Sequence, residues 1–142
     1  MSVANFYLVP AYILEHELSS GRSCKIYCTE PRRISAISLA RRVSEELGER
    51  KGDVGTSRSL VGYAIRLESR MNSHTRLVYA TTGIVMRMLE NGVDELGDIT
   101  HLVLDEGRLS RHLFGCFPTL FLLRHCHVAL TWRTLTIGAD SA

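Results

Sequence analysis

From residue 9 to residue 104 the chain alternates between two patterns of apolar residues, one typical of helices and the other of strands. Apolar residues spaced three and four positions apart predict amphipathic helices, and glycines or turn residues mark their ends. The predicted helices cover residues 9–18, 34–47 and 84–90. Short apolar runs rich in β-forming residues predict strands. The predicted strands cover residues 25–29, 60–67, 76–81 and 101–104.

The order of these elements predicts an α/β fold. Strands that alternate with helices typically form a parallel sheet with crossover helices packed on it. In the 60–67 run, larger apolar residues alternate with small or charged ones, which predicts a strand with one face exposed to solvent. From Gly107 to the end of the chain no period is stable, and no internal repeat is present.

Composition narrows the class of protein. Hydrophobic residues make up 45% and charged residues 23% of the 142 residues, as in an ordinary folded domain. The formal net charge of +2 does not by itself indicate a nucleic-acid binder, but basic residues crowd the first half of the chain. Four cysteines lack metal-ligand spacing, which predicts an intracellular protein of the cytoplasm or nucleus. No apolar run approaches the ~20 residues that span a bilayer, so no membrane segment is expected.

Three polar clusters directly follow predicted strands, where ligands bind in open parallel sheets. They are Thr29-Glu30-Pro31-Arg32-Arg33, Thr81-Thr82-Gly83 and Asp105-Glu106. The arginines precede a helix, whose first amides add positive potential suited to a phosphate of RNA. The acidic pair suits Mg²⁺ binding and the orientation of an attacking water. Taken singly, each cluster also has an ordinary structural explanation. Arg32 and Arg33 also fit a solvated basic loop. Asp105 also fits a cap of the following turn, with Glu106 solvated.

Four stretches together resemble the first RecA-like domain of DEAH-box RNA helicases in order and spacing. They are residues 29–36 (TEPRRISA), 60–69 (LVGYAIRLES), 75–83 (TRLVYATTG) and 99–106 (ITHLVLDE). The resemblance runs from about Leu8 to Glu106. It implies a three-layer P-loop NTPase (RecA-like) parallel sheet, here truncated.

The resemblance also implies roles for the three clusters. Residues 29–33 match motif Ia and residues 81–83 match motif Ib, which hold the RNA backbone in this family. The implied RNA contacts are Thr29, Pro31, Arg32, Arg33, Thr81, Thr82 and Gly83. Asp105 and Glu106 match the start of motif II, where the first binds the Mg²⁺ of Mg-ATP and the second activates water. The implied activity is ATP hydrolysis coupled to RNA unwinding, with ATP and Mg²⁺ as cofactors and RNA as partner.

The chain departs from the family pattern at two places. Relatives carry a Gly-rich loop with Lys and Ser/Thr before the first helix, whereas this chain has residues 1–7 (MSVANFY). After Glu106 the motif II pattern stops, and residues 108–142 resemble no part of the domain. We therefore predict a partial ATP-binding domain over 1–106 that lacks the P-loop, and a divergent tail over 107–142 that is read out of frame or poorly ordered.

These departures lead to the expectation that the chain alone has no ATPase activity. The second RecA-like domain of such a helicase is expected to be absent. Two alternatives stay open: a non-enzymatic RNA-binding fragment, and a non-functional truncated gene product. The tail carries five side chains able to ligate zinc, His112, Cys116, His125, Cys126 and His127. Adjacent His-Cys-His side chains do not converge readily on one tetrahedral ion, so we predict no zinc site.

Overall fold

In a computed structural model, which describes residues 8–92, 97–104 and 127–130, the chain forms one sheet with helices on both faces. The helices are α1 (Val9–Ser19), α2 (Arg33–Glu46) and α3 (Thr82–Asn91). The strands are β1 (Ile26–Glu30), β2 (Val61–Ile65), β3 (Glu68–Arg70), β4 (Leu77–Thr81), β5 (His101–Leu104) and β6 (His127–Leu130). Their order across the sheet is β3-β2-β4-β1-β5-β6, with only β3 antiparallel to its neighbour.

The alternation of side chains along the strands builds a separate core on each face of the sheet. In β4, Leu77 and Tyr79 point into the core beneath α1 and α2, whereas Val78 and Ala80 point into the core beneath α3. The same division holds in β1, where Tyr27 alone joins the α3 side. The result is the three-layer helix, sheet and helix arrangement that the sequence predicts.

Small residues let α2 lie close to the sheet. Its buried face consists of Ala36, Ala40, Val43 and Ser44, spaced as one helical stripe. Pro31 disfavours helical backbone at Glu30, the residue before it, and Arg32 is extended as well, so the helix begins only at Arg33. Gly48, with a φ of +84°, follows the helix end, where a left-handed residue is most easily supplied by glycine.

The two crossover helices lie on opposite faces because the chain moves in opposite directions across the sheet. From β1 it travels through α2 towards β2, and from β4 it travels through α3 back across β1 to β5. Right-handed crossovers in opposite directions place their helices on opposite faces. The loops after β1 and β4, which are neighbouring strands, therefore diverge and leave a crevice between them.

The described elements confirm the predicted α/β class and the three predicted helices, with ends that agree within two residues. The predicted strands also form, but β2 differs in burial. All five residues from Val61 to Ile65 are buried, so the prediction of a half-exposed strand is wrong. β2 lies between β4 and β3, and its larger side chains join the core beneath α2. Ala64 on the opposite face joins the core on the α3 side, so the face with the smaller residues is also removed from solvent. The short strand β3 was not predicted.

The division into a domain of residues 1–106 and a tail of 107–142 stays a prediction. The last described segment, β6, lies within that tail and pairs in parallel with β5, from His101 opposite His127 to Leu104 opposite Leu130. These four residues therefore extend the sheet beyond the stretch that resembles the family.

Candidate nucleic-acid interface

The crevice between β1 and β4 brings together two of the three clusters singled out in the sequence. The strands pair in parallel, with Glu30 opposite Thr81, so residues 31–33 and 82–83 emerge side by side at the carboxyl edge of the sheet. The hydroxyl of Thr82 donates a hydrogen bond of 3.4 Å to the carbonyl oxygen of Glu30. We call this edge, formed by residues 29–33 and 81–83, the rim.

Two helix N-termini meet at the rim. α2 begins at Arg33 and α3 begins at Thr82, and neither start has a side-chain cap or an acidic residue in its first turn. The first N–H groups of a helix have no partner within the helix, and the helix dipole places partial positive charge there. Two uncapped starts beside two arginines make the rim suited to an anion.

The rim residues differ in access to solvent. Pro31, Arg32, Arg33 and Gly83 are exposed, and Thr81 and Thr82 are half-buried. A Cβ atom added to Gly83 would meet no atom within 4 Å, so the space beside that backbone is open to a ligand. Thr29 is fully buried, with 0% of its surface exposed. Its side chain therefore lies beneath the rim and is placed to position the neighbouring backbone.

The acidic pair Asp105-Glu106 lies outside the described residues. The described part of β5 ends at Leu104, the residue before Asp105. β5 runs parallel to β1, with Val103 opposite Cys28, so β5 ends at the same edge as the rim. The roles of Asp105 and Glu106 therefore stay predictions from the family pattern.

One further residue at this edge is not indicated by the sequence pattern. Leu67, in the turn between β2 and β3, is 98% exposed and has a φ of +67°, where leucine is seldom found. The turn follows the carboxyl end of β2, two strands from β1. A strained, exposed apolar residue at a ligand-binding edge is a functional candidate. Its only sequence signal was an apolar residue between Arg66 and Glu68, which also fits an ordinary strand.

The amino edge of the sheet carries a cysteine and histidine pair that does not behave as a nucleophilic site. Sγ of Cys24 lies 3.8 Å from Nδ1 of His101, and the Thr100 hydroxyl lies 3.7 Å from the same sulfur. Burial raises the pKa of the Cys24 thiol, and the hydrogen bond from Thr100 offsets this only in part. A thiol whose pKa is raised stays protonated near neutral pH and is a poor nucleophile.

The described part of the chain lacks two further features. No helix there is long and apolar enough to cross a membrane. No group of three His, Cys, Asp or Glu side chains in residues 8–92, 97–104 and 127–130 is arranged to hold a metal ion.

The chain is similar to known proteins over about two thirds of its length. The mouse ATP-dependent RNA helicase DHX29 is 51% identical over 102 residues, which is 69% of this chain and 7% of that protein. The DExH-box ATP-dependent RNA helicase DExH1 of Arabidopsis thaliana is 49% identical over 100 residues, or 69% of this chain and 9% of that protein. The chain belongs to the DEAH/DExH-box helicases.

The structural comparison agrees with this assignment. The DExH-box NTPase HrpB of E. coli matches with a TM-score of 0.67 and 29% identity over 86% of this chain and 15% of that one. No family model matches the chain. The chain spans less than a tenth of the length of the two curated relatives, so it corresponds to a small part of a DEAH/DExH-box helicase. The fold is the RecA-like NTPase fold that the sequence predicts.

Proposed function

We propose that this segment of a DEAH/DExH-box helicase holds the sugar-phosphate backbone of RNA at the rim. The supporting observation is the crevice between β1 and β4, where two uncapped helix starts lie beside Arg32 and Arg33. Backbone amides and arginines bind phosphates without reading bases, so the binding is independent of sequence and sensitive to salt. Pro31, Thr81, Thr82 and Gly83 shape the crevice, and the buried Thr29 supports it from below.

In a complete motor, this RNA contact serves ATP hydrolysis coupled to RNA unwinding. Asp105 is the proposed ligand of Mg²⁺ and Glu106 the proposed acid that orients the attacking water, since carboxylate oxygens directly after a strand suit that metal. Bound Mg²⁺ and ATP supply charge neutralisation and the phosphoryl group. The proximity of the end of β5 to the rim supports a coupling between the two sites.

For the 142-residue chain taken alone, we propose RNA binding without ATP hydrolysis. The sequence contains no Gly-x-x-x-x-Gly-Lys-Ser/Thr stretch, the loop whose amides and lysine hold nucleotide phosphates. Each charge-assisted hydrogen bond that is missing weakens nucleotide binding by about 1.5–3 kcal/mol. This favours the non-enzymatic RNA-binding alternative for the isolated chain.

The test uses the purified 142-residue chain and two labelled single-stranded RNAs of unrelated sequence. The double variant Arg32→Gln/Arg33→Gln is expected to lower affinity for both RNAs at least tenfold. The salt dependence of log K should become shallower by about 1.4, since each phosphate contact to a single strand contributes ~0.7. The matched control is Arg22→Gln/Arg42→Gln, which removes the same charge. Arg22 precedes β1 at the opposite edge and pairs with Glu17, and Arg42 pairs with Glu46.

Three outcomes decide between the proposals. Equal RNA affinity in the double variant and the control would overturn the rim as the RNA site. RNA-stimulated phosphate release by the 142-residue chain would overturn the proposed lack of hydrolysis. The absence of a cooperative thermal transition in circular dichroism would support a product that does not fold.

We further propose an intracellular location, in the cytoplasm or nucleus. Cys24 and Cys28 are buried and neither forms a disulfide, as expected of a protein in a reducing compartment. Fractionation of cells that express the tagged chain tests this: recovery in the secreted fraction would contradict it.

A further inference from the structure

A basic cleft lies on the α2 face, away from the rim. It is formed by the second half of α2, the loop after that helix and the β2–β3 hairpin, and it encloses about 210 Å³. Its lining carries four cationic side chains and one carboxylate, a net charge of +3. They are Arg41, Arg50, Lys51, Arg70 and Glu45. No motif of the RNA-binding rim includes these residues.

The positive charge of the cleft is largely uncompensated. Arg41, Arg50 and Lys51 take part in none of the ion pairs found among the described residues. Arg70 lies 3.8 Å from a carboxylate oxygen of Glu68, but both side chains are exposed, and such a pair contributes little. Like charges on one concave surface repel each other and raise the local electrostatic potential. A bound anion reduces both effects.

The phenol of Tyr63 lies in the same cleft and responds to these charges. It donates a hydrogen bond of 2.6 Å to Glu68. Burial raises the pKa of Tyr63, and the hydrogen bond and negative charge of Glu68 raise it further. The guanidinium groups of Arg70 and Arg41 act in the opposite direction, because both lie near the phenol. Arg41 of α2 and Arg70 of β3 therefore both lie near the Tyr63 phenol, although they belong to different elements.

The loop that forms one wall of the cleft is fixed by a single carboxylate. Glu49 accepts hydrogen bonds from the hydroxyls of Ser44 and Ser59 and, at 2.8 Å, from the backbone N–H of Leu60. Both serines are buried. This network ties the end of α2 to the start of β2, so the intervening Arg50 and Lys51 are held beside the helix before any ligand arrives.

The opposite wall is fixed by close packing of backbone. A Cβ atom at Gly55 would lie 2.6 Å from the Cβ of Arg70, so only glycine allows the loop to lie this close to β3. The amide of Asn72 donates a hydrogen bond of 3.0 Å to the carbonyl oxygen of Gly55. Cations held in place before binding lose less entropy when they bind, which favours a ligand site over a mobile basic surface.

The cleft is too far from the rim to bind the same phosphate. Arg41 lies eight residues after Arg33 along α2, which is about 12 Å at 1.5 Å per residue. A stacked strand advances roughly 3.4 Å per nucleotide and an extended strand further, so the two positions lie on different phosphates.

We propose that this cleft binds a phosphate-bearing anion at a site distinct from the rim. Arginine guanidinium groups match the geometry of phosphate oxygens, and the net charge and volume suit two or three linked phosphates. The phosphates are carried either by an RNA strand that continues along the α2 face or by a free phosphorylated ligand. The proposal does not depend on RNA binding at the rim.

The test uses the full 142-residue chain with two probes, inorganic tripolyphosphate and a labelled 15-nucleotide oligouridine, at fixed ionic strength. Affinity is measured by isothermal titration calorimetry for the first and by fluorescence anisotropy for the second. The variant is Arg41→Gln/Lys51→Gln, and the matched control is Arg42→Gln/Arg22→Gln. The control removes the same charge, and Arg42 neighbours Arg41 on α2 but pairs with Glu46 outside the cleft lining.

The expected result is at least a tenfold loss of tripolyphosphate affinity in the cleft variant and less than a twofold change in the control. All four substituted side chains are exposed, so both proteins should keep the thermal transition of the parent chain. A parallel loss of oligouridine affinity, with tripolyphosphate as competitor, identifies RNA as the source of the phosphate. Unchanged oligouridine affinity identifies a free phosphorylated ligand. Equal tripolyphosphate affinity in the two variants, or no binding to the parent chain at millimolar concentration, would overturn the proposal.

Discussion

The side-chain hydroxyl of Thr82 lies 3.4 Å from the carbonyl oxygen of Glu30 and donates a hydrogen bond to it. This contact joins the first residue of α3 to the last residue of β1, 52 positions apart in the sequence. It holds the two loops of the rim side by side, so the arginines after β1 and the open backbone at Gly83 face the same crevice. The geometry of the proposed RNA site therefore depends on a link between its two halves.

The substitution Thr82→Val tests that link. Valine keeps the shape of threonine but has no hydroxyl, so the bond to Glu30 is lost. Because the bond is long, the free energy of unfolding should fall by only about 0.5–1 kcal/mol. RNA affinity should also fall, since this bond no longer joins the two loops of the rim. Thr82→Ser, which retains the hydroxyl, serves as the control in anisotropy titrations, and equal affinity in the two variants would contradict the role.

Leu67 gives a prediction in which stability and binding change in opposite directions. A left-handed leucine costs about 1–2 kcal/mol, and asparagine adopts this conformation more readily. The side chain is 98% exposed, so its replacement removes little packing. Leu67→Asn should therefore raise the free energy of unfolding by about 0.5–1 kcal/mol, measured by urea denaturation. It should also weaken RNA binding, because an exposed apolar side chain is lost from the edge of the sheet that carries the rim.

Leu67→Ala separates the two effects. It removes the apolar side chain but leaves a residue that disfavours positive φ, so RNA affinity should fall without a gain in stability. If neither substitution changes RNA affinity, the exposed leucine is not part of the RNA site.

Much of the architecture could be predicted from the sequence because it depends on local pattern. The helical stripe of α2 and the apolar runs of β1 and β4 each specify an element directly. The placement of Arg32 and Thr82 at one edge also follows, since parallel strands end at a common edge. What these predictions share is that each needs only a few consecutive residues.

The features that were missed depend on contacts between distant segments. The burial of β2 could not be seen in its own alternating pattern, because the cores on the two faces of the sheet cover it only after folding. The basic cleft draws on Arg41 of α2 and Arg70 of β3, which the β2–β3 hairpin brings together. The excess of basic residues in the first half of the chain is visible in the sequence. The sequence does not show which of these residues come together in the fold.

Gly55 and Gly48 form a matched pair for measuring the close packing of the cleft wall. Both have positive φ, +78° and +84°, so alanine at either position costs about 1–2 kcal/mol in backbone strain. A Cβ at Gly48 meets no atom within 4 Å, whereas one at Gly55 meets Arg70 at 2.6 Å. Gly55→Ala should therefore lower the free energy of unfolding by about 1–3 kcal/mol more than Gly48→Ala in urea denaturation. Equal losses would mean that the loop is not packed against β3.

The carboxylate of Glu49 gives the strongest single prediction for stability. Ser44 and Ser59, each only 1% exposed, donate their hydroxyls to it, so Glu49→Ala leaves both without that acceptor. The free energy of unfolding should fall by about 2–4 kcal/mol, because buried polar groups that lose a charged partner are costly. Glu46→Ala removes a carboxylate whose contact with Arg42 is an exposed i,i+4 pair, and should cost only ~0.3–0.5 kcal/mol. Urea denaturation of both variants decides the point, and a loss for Glu49→Ala no larger than that of its control would show that the loop is held by other contacts.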